Sequence, residues 1–239
     1  MMRMSKTGER FYRRMVLASI ILLVISGVFS GLFSYMWEIR GELIELLGQH
    51  LYLVGVSIAM ALVIGLAVGI ALSRAPLRKY SGPLMYFVGL GQTIPSLAVL
   101  ALSMSFLGTG SRPALFALTI YTVLPIARNT LAGLESVSPE LIDAARGMGL
   151  SGRQVLFAVE LPVAVRVIMA GVRMAVIINI SSAALGAVIG AGGLGEQIFT
   201  GISFFDFNII LSGALPVAIM ALTADYLLQL LEEKLAGPV

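Results

Sequence analysis

Long apolar runs leave this chain only one solvent for most of its surface, which is lipid. They cover residues 16–33, 51–72, 84–107, 113–131, 163–189 and 209–231. A helix that crosses a bilayer needs about 20 mostly apolar residues, and each run is close to that length. Charge settles the matter: only 12% of the residues are Asp, Glu, Lys or Arg, whereas a soluble domain carries about 25%. The expected fold is therefore an all-α integral membrane protein with about six transmembrane helices.

The basic residues set an expected orientation. Arg3, Lys6, Arg10, Arg13 and Arg14 precede the first run, and Arg74, Arg78 and Lys79 follow the second. Arg128 lies at the end of the fourth, Arg146 and Arg153 between the fourth and fifth, and Lys234 follows the sixth, while the other side holds only Arg40 and Arg112. Both termini are expected in the cytoplasm. The first run resembles a signal peptide but is long and has no clear A-x-A site, so it reads as an uncleaved anchor. The expected organisation is an N-terminal tail, anchor and external loop over 1–50, a core transmembrane domain over 51–231, and a cytoplasmic tail over 232–239.

Several function classes drop out. The chain has no cysteine and a single histidine, His50, so no metal or redox site is expected. Net charge is +3 and the isoelectric point about 9.4. The basic residues flank apolar runs, without a long Lys/Arg tract or an aromatic–basic platform, so nucleic acid is not an expected partner. No G-x-x-x-x-G-K-[ST] occurs, and the chain is not expected to hydrolyse ATP or to carry catalytic residues. Gly190-Ala191-Gly192-Gly193-Leu194-Gly195 matches G-x-G-x-x-G, but a membrane helix precedes it where a dinucleotide site needs a strand. A tight external turn is the better reading. Asn179-Ile180-Ser181 is a glycosylation sequon inside a span and is set aside.

Polar and conformationally special residues inside the runs are candidates for function. Gly27 with Gly31, Gly65 with Gly69, and Gly186 with Gly190 have the spacing that lets helix backbones approach; ordinary glycine frequency in membrane helices explains them as well. Pro95 and Pro125 bend or break helices. Around Pro95, the residues Gly89, Gly91, Gln92, Thr93 and Ser96 make a breakable polar stretch, which in lipid must be buried in protein or line a cavity. Gln92, Thr93, Pro95, Asn179, Ser181 and Ser182 are candidate pathway residues. Arg173 and Asp225 lie within apolar runs at similar depth and are a candidate ion pair, with snorkelling to the headgroups as the alternative.

The stretch 135–162 is too polar to span and too long for a plain connector. Ser138 can cap a helix with Pro139 at its first position and Glu140 in its first turn. Gly147 and Gly149 end that helix. Ser151 and Gln154 form a capping-box pattern that opens a second one. A helix–turn–helix held at one face suits a partner, and an amphipathic hairpin lying on headgroups is the other reading.

Asp143-Ala144-Ala145, Gly149 after three residues, then Val159, Leu161 and Pro162 resemble the EAA motif of permease subunits of binding-protein-dependent ABC importers. Asp143 stands where the motif has Glu, and Val159 where it has Ile. The resemblance runs from about Leu51 to Leu230 and implies a MetI-like type I importer fold. It also implies that Asp143, Ala144, Ala145, Gly149, Leu161 and Pro162 belong to a coupling helix seated in a cleft of a separate ATPase subunit. In that reading Ala144 and Ala145 allow close docking, Gly149 allows a sharp turn, and Pro162 ends the loop. Gly91-Gln92-Thr93-Ile94-Pro95-Ser96, the run from Val159 to Arg173, and Ile178-Asn179-Ile180 resemble osmoprotectant permeases, which import glycine betaine, choline or carnitine. The implied partners are an ATPase subunit that binds ATP, an extracytoplasmic binding protein and a second permease chain in a bacterial or archaeal cytoplasmic membrane. No cofactor of the chain's own is implied. No tight aromatic cluster offers a cage for a quaternary ammonium, which fits capture by the binding protein. A permease for amino acids or sulfonates, an ion-driven secondary transporter and a membrane scaffold are the alternatives. The structured loop and the scarcity of acidic residues in the spans count against the secondary transporter.

Overall fold

The computed structural model describes residues 31–91 and 93–236, so the first apolar run and Gln92 fall outside the described residues, apart from 31–33. Among the described residues every regular element is helical. In chain order they are α1 (Leu32–Glu38), α2 (Arg40–Ser73), α3 (Ala75–Arg78), α4 (Ser81–Gly91), α5 (Ser96–Leu107), α6 (Ser111–Glu135), α7 (Pro139–Gly147) and α8 (Gly152–Val155). A π turn over Leu156–Glu160 then leads into α9 (Leu161–Ala183), which tightens to a 3-10 turn over Ala184–Ile189. The chain closes with α10 (Gly195–Phe204) and α11 (Phe207–Ala236).

Among the described residues four helical stretches are long and apolar enough to cross a bilayer: Arg40–Ser73, Ser111–Glu135, Gly152–Ile189 and Phe207–Leu235. The third apolar run is divided between α4 and α5, with the break at Thr93–Pro95. Pro95 begins α5, where its carbonyl accepts from Ala98 N at 2.8 Å. Tyr121 of α6 donates its hydroxyl to the Ile94 carbonyl at 2.5 Å, which ties the break to the bundle.

α6 is the centre of the bundle. Its apolar window is 61% buried, against 28% for α2 and 11% for α11. Lipid offers no hydrophobic drive between helices, so close packing has to hold them together. Glycines provide it. A Cβ on Gly69 of α2 would lie 2.5 Å from Thr130 Cβ and 2.8 Å from the Ala127 carbonyl of α6. One on Gly65 would lie 2.8 Å from Ile126 Cβ, and one on Gly171 of α9 would lie 2.4 Å from Asn129 Cβ and 2.8 Å from the Pro125 carbonyl. Gly65 and Gly69 therefore pack helices inside the chain. Gly190 does not share that role with Gly186: it sits in a turn at φ +76. Two polar side chains of α6 at this seam are satisfied within their own helix: Thr130 donates to the Ile126 carbonyl at 2.8 Å and Asn129 to the Pro125 carbonyl at 2.9 Å. Pro125 itself is buried within an unbroken helix.

Three sequence expectations change. Residues 40–50, expected as external loop, form the first turns of α2. Glu42, Gln49 and His50 give that extension its partners: Glu42 accepts from Gln197 at 2.6 Å, Gln49 accepts from the Gly193 amide at 2.9 Å, and His50 Nε2 lies 3.0 Å from the Ile180 carbonyl. The glycine run 190–195 does form a tight turn, with Gly190, Gly192 and Gly193 all at positive φ, but a further helix, α10, follows it. α10 folds back on α11 so closely that a Cβ on Gly201 would lie 2.4 Å from the Ile210 amide nitrogen. Finally, Pro162 does not separate the loop from the fifth span. Gly152–Ile189 is one helical rod of 38 residues. Proline removes an N–H and crowds the carbonyl four residues earlier, and the wider π turn just before it accommodates both effects.

Candidate functional site

The hairpin between α6 and α9 is built from local codes. Ser138 Oγ accepts from the Leu141 amide at 3.3 Å, which starts α7. At the other end the Met148, Gly149 and Leu150 amides donate to the carbonyls of Ala144, Arg146 and Ala145 at 3.0, 2.9 and 3.2 Å. These bonds, with Gly149 at φ +85, make a Schellman stop, which requires a left-handed residue at that position. Ser151 then opens α8: its amide donates to Gln154 Oε1 at 2.8 Å and its Oγ accepts from the Gln154 amide at 3.4 Å.

Burial sorts the motif residues. Ala145 is 2% exposed, and Val137 and Val155 on either side of it in the chain are buried as well. Asp143, Ala144 and Gly149 are exposed, Leu161 is half-buried and Pro162 is exposed. Leu141 and Met148 are 42% and 74% exposed. With Ala144 they stand at i, i+3 and i+7, so the outer face of α7 is an apolar stripe with a small residue at its middle. Sequence reading missed Leu141 and Met148. Their helical spacing around Ala144 was the available signal.

The root of the hairpin carries an ion pair that sequence reading also missed. Arg74, in extended backbone just past α2, grips Glu160 at the end of the π turn with both terminal nitrogens, at 2.5 and 3.3 Å. The Glu160 side chain is 7% exposed and that of Arg74 35%. Nothing local in the sequence joins two residues 86 positions apart.

The candidate pathway residues divide. Asn179 is 1% exposed and lies inside the bundle. Its amide donates to Ser57 Oγ at 2.9 Å and to Thr122 Oγ1 at 2.8 Å, so it joins α9 to α2 and α6. Ser182 is brought beside Ser96 and Tyr121, next to the break in the third run. Ser181, Thr93 and Pro95 are exposed. Arg173 and Asp225 are brought together: the Arg173 Nη2 and Nε donate to Asp225 Oδ1 at 2.7 and 3.0 Å. Glu232, not singled out from sequence, accepts a third bond from Arg173 at 3.4 Å. The guanidinium therefore clamps α9 to two turns of α11. No cluster of metal-ligating side chains occurs among the described residues.

Comparison with known proteins places this geometry. Residues 61–237 match the family model described as binding-protein-dependent transport system inner membrane component. The glycine betaine/carnitine/choline transport system permease protein of Bacillus subtilis is 40% identical over 194 residues, covering 81% of this chain and 88% of that protein. An osmoprotectant import permease protein of Salmonella typhimurium is 41% identical over 219 residues, covering 90% and 92%. Among solved structures, an inward-facing MetNI methionine ABC transporter superposes with a TM-score of 0.74 at 22% identity, covering 84% of this chain and 99% of that one. At that identity it speaks to fold alone, and the fold is that of a type I ABC importer permease. By family model, by relatives and by fold, the chain belongs to the binding-protein-dependent transport system inner membrane components.

Proposed function

We propose that this chain is the permease subunit of an ATP-driven importer for a compatible solute such as glycine betaine, choline or carnitine. Relatives at about 40% identity are named for glycine betaine/carnitine/choline transport, for carnitine transport and for osmoprotectant import, and 85–92% of their length is matched. The observation that carries the mechanism is α7 itself: a short helix fixed by caps at both ends, with an outward apolar stripe and its motif residue Ala145 turned inward. Such a helix suits a cleft on a partner, and ATP binding by that partner would move it as a rigid body. The chain supplies no catalytic residues and no cofactor, and ATP is bound by the partner. Asp143, Ala144, Ala145 and Gly149 form or shape the docking helix, and Leu161 and Pro162 lie where it joins α9.

In this reading the α7 end of the bundle is cytoplasmic, because Arg74, Arg78, Lys79, Arg146 and Arg153 gather there. Both termini lie on that side, 51–231 is the transporting core, and 1–50 and 232–239 are peripheral. The solute pathway runs past the break in the third run. Residues Thr93, Ile94 and Pro95 are exposed on the single chain, and an irregular stretch in a span does not face lipid. A second permease chain across a water-filled path covers it. Gln92, Thr93, Pro95, Ser181 and Ser182 line that path, and Asn179 supports it from within the bundle. An extracytoplasmic binding protein delivers the solute to the opposite mouth.

Proteoliposomes containing the chain, its ATPase and its binding protein test the reading. ATP inside the vesicles should drive uptake of radiolabelled glycine betaine, choline or carnitine. Uptake that persists on an ion gradient without ATP would overturn it.

A further inference from the structure

Two observations at the hairpin root converge on one residue pair. The first is where the hairpin rests. α7 packs mainly on α8 and the π turn. Between α7 and the end of α2 lies a cavity of about 260 Å³, bordered by Arg74, Arg78, Asp143, Arg146 and Glu160. The hairpin is thus parted from α2 by a gap, and the Arg74–Glu160 pair spans its border. The second is what holds the pair in direction. Arg74 Nε donates to Ser73 Oγ at 3.0 Å while the same guanidinium grips both Glu160 oxygens, and Ser73 Oγ in turn donates to the Ile70 carbonyl at 2.7 Å. A forked guanidinium held on both edges fixes angle as well as distance, which a point charge does not.

We infer that Arg74 and Glu160 are positioning residues: their ion pair latches α2 to the root of the hairpin, so that a pull on α7 moves α2 and α9 together. The inference rests on the coupling role proposed above. A π turn is a single widened turn that can tighten to α geometry. Without the latch, displacement of α7 is taken up in Leu156–Glu160. With it, Glu160 carries the displacement to the end of α2. That helix is already locked to α6 through Gly65 and Gly69, so the bundle moves as a unit. Removing the arginine leaves a carboxylate in a site that excludes most water, which is costly. Arg74→Lys keeps that carboxylate compensated and removes only the fork, so it separates latching from folding.

The test measures ATP hydrolysed per glycine betaine taken up by proteoliposomes containing the chain, its ATPase and its loaded binding protein. Assembled complex is quantified alongside. Arg74→Gln and Glu160→Gln should each raise the ratio at least fivefold with the complex assembled. Arg74→Lys should raise it by a smaller factor, and the Arg74→Glu/Glu160→Arg exchange should bring the ratio back toward wild type. If Arg74→Gln fails to assemble, the raised ratio in Arg74→Lys carries the same result. Ratios that stay at the wild-type value in both Arg74 variants would overturn the latch, including the case in which they only lower the yield of complex. No ATP-dependent uptake by wild type would instead overturn the coupling role on which the latch stands.

Discussion

Alanine at Gly149 and alanine at Gly147 should act with opposite signs, although the two positions are one residue apart from neighbouring. Neither glycine has a heavy atom within 4 Å of the place a Cβ would occupy, so sterics with the rest of the chain are not at issue. Backbone conformation decides. Gly147 is helical, the last residue of α7, and alanine there is favoured by about 0.5–1 kcal/mol. Gly149 has φ +85, and a left-handed L-residue costs about 1–2 kcal/mol. That cost reduces the population of the closed turn by about 5- to 30-fold. Hydrogen exchange of the chain in nanodiscs reads it directly, because the amides at positions 149 and 150 are held only by the Arg146 and Ala145 carbonyls of the stop. Protection there should fall by about 5- to 30-fold in Gly149→Ala and rise by about two- to fivefold in Gly147→Ala. Gly149→Asn should lose far less than alanine, since asparagine tolerates the left-handed region. Equal protection in all three variants, or a loss in Gly147→Ala matching that in Gly149→Ala, would refute the reasoning.

Other expectations concern the bundle. Gly69→Ala should destabilise the chain strongly, because its Cβ would fall 2.5 Å from Thr130 Cβ, whereas Gly55→Ala on the same helix meets open space and should be neutral in thermal unfolding. Asn179→Ala removes two buried amide bonds, each worth about 0.6–1 kcal/mol in this setting, and should lower the melting temperature more than Ser57→Ala, after which the bond to Thr122 survives. Arg173→Gln should lower it more than Asp225→Asn, because the arginine keeps Glu232 at 3.4 Å when Asp225 loses its charge. Both carboxylates are partly exposed, so the difference should be modest and shrink with added salt.

What could be read from the sequence follows the range of the forces involved. Apolar runs are legible because lipid demands them residue by residue. The caps of α7 and α8 are legible because Ser138, Gly149, Ser151 and Gln154 act within four residues of themselves. The break before α5 is legible because Pro95 follows Gly89, Gly91, Gln92 and Thr93, a run that holds a helix weakly where proline then removes a backbone bond. The extension of α2 is not, since 40–50 has too polar a composition to read as a span, and its helix is held by Gln197, Gly193 and Ile180 far along the chain. α10 is hidden for the same reason: its place depends on Gly201 and Gly213 meeting backbone of the opposite strand of the helical hairpin. Asn179 was legible as a polar residue in a span, but which way it faced depended on the rotation of α9 against α6. Arg74 and Glu160 were each visible as charges beside apolar runs, and only the fold shows that they meet.

The central claim is that α7 is the contact through which a separate ATPase moves this bundle. The chain has no cysteine, and Met148 is exposed on the outer stripe of α7, so Met148→Cys places one reactive thiol at the proposed contact. Paired with single cysteines along the cleft of the ATPase subunit, it should form a disulfide in the assembled complex. Locking it should stop ATP-driven solute uptake, and reductant should restore uptake. A complex that transports normally while no cleft position cross-links to Met148→Cys would contradict the account.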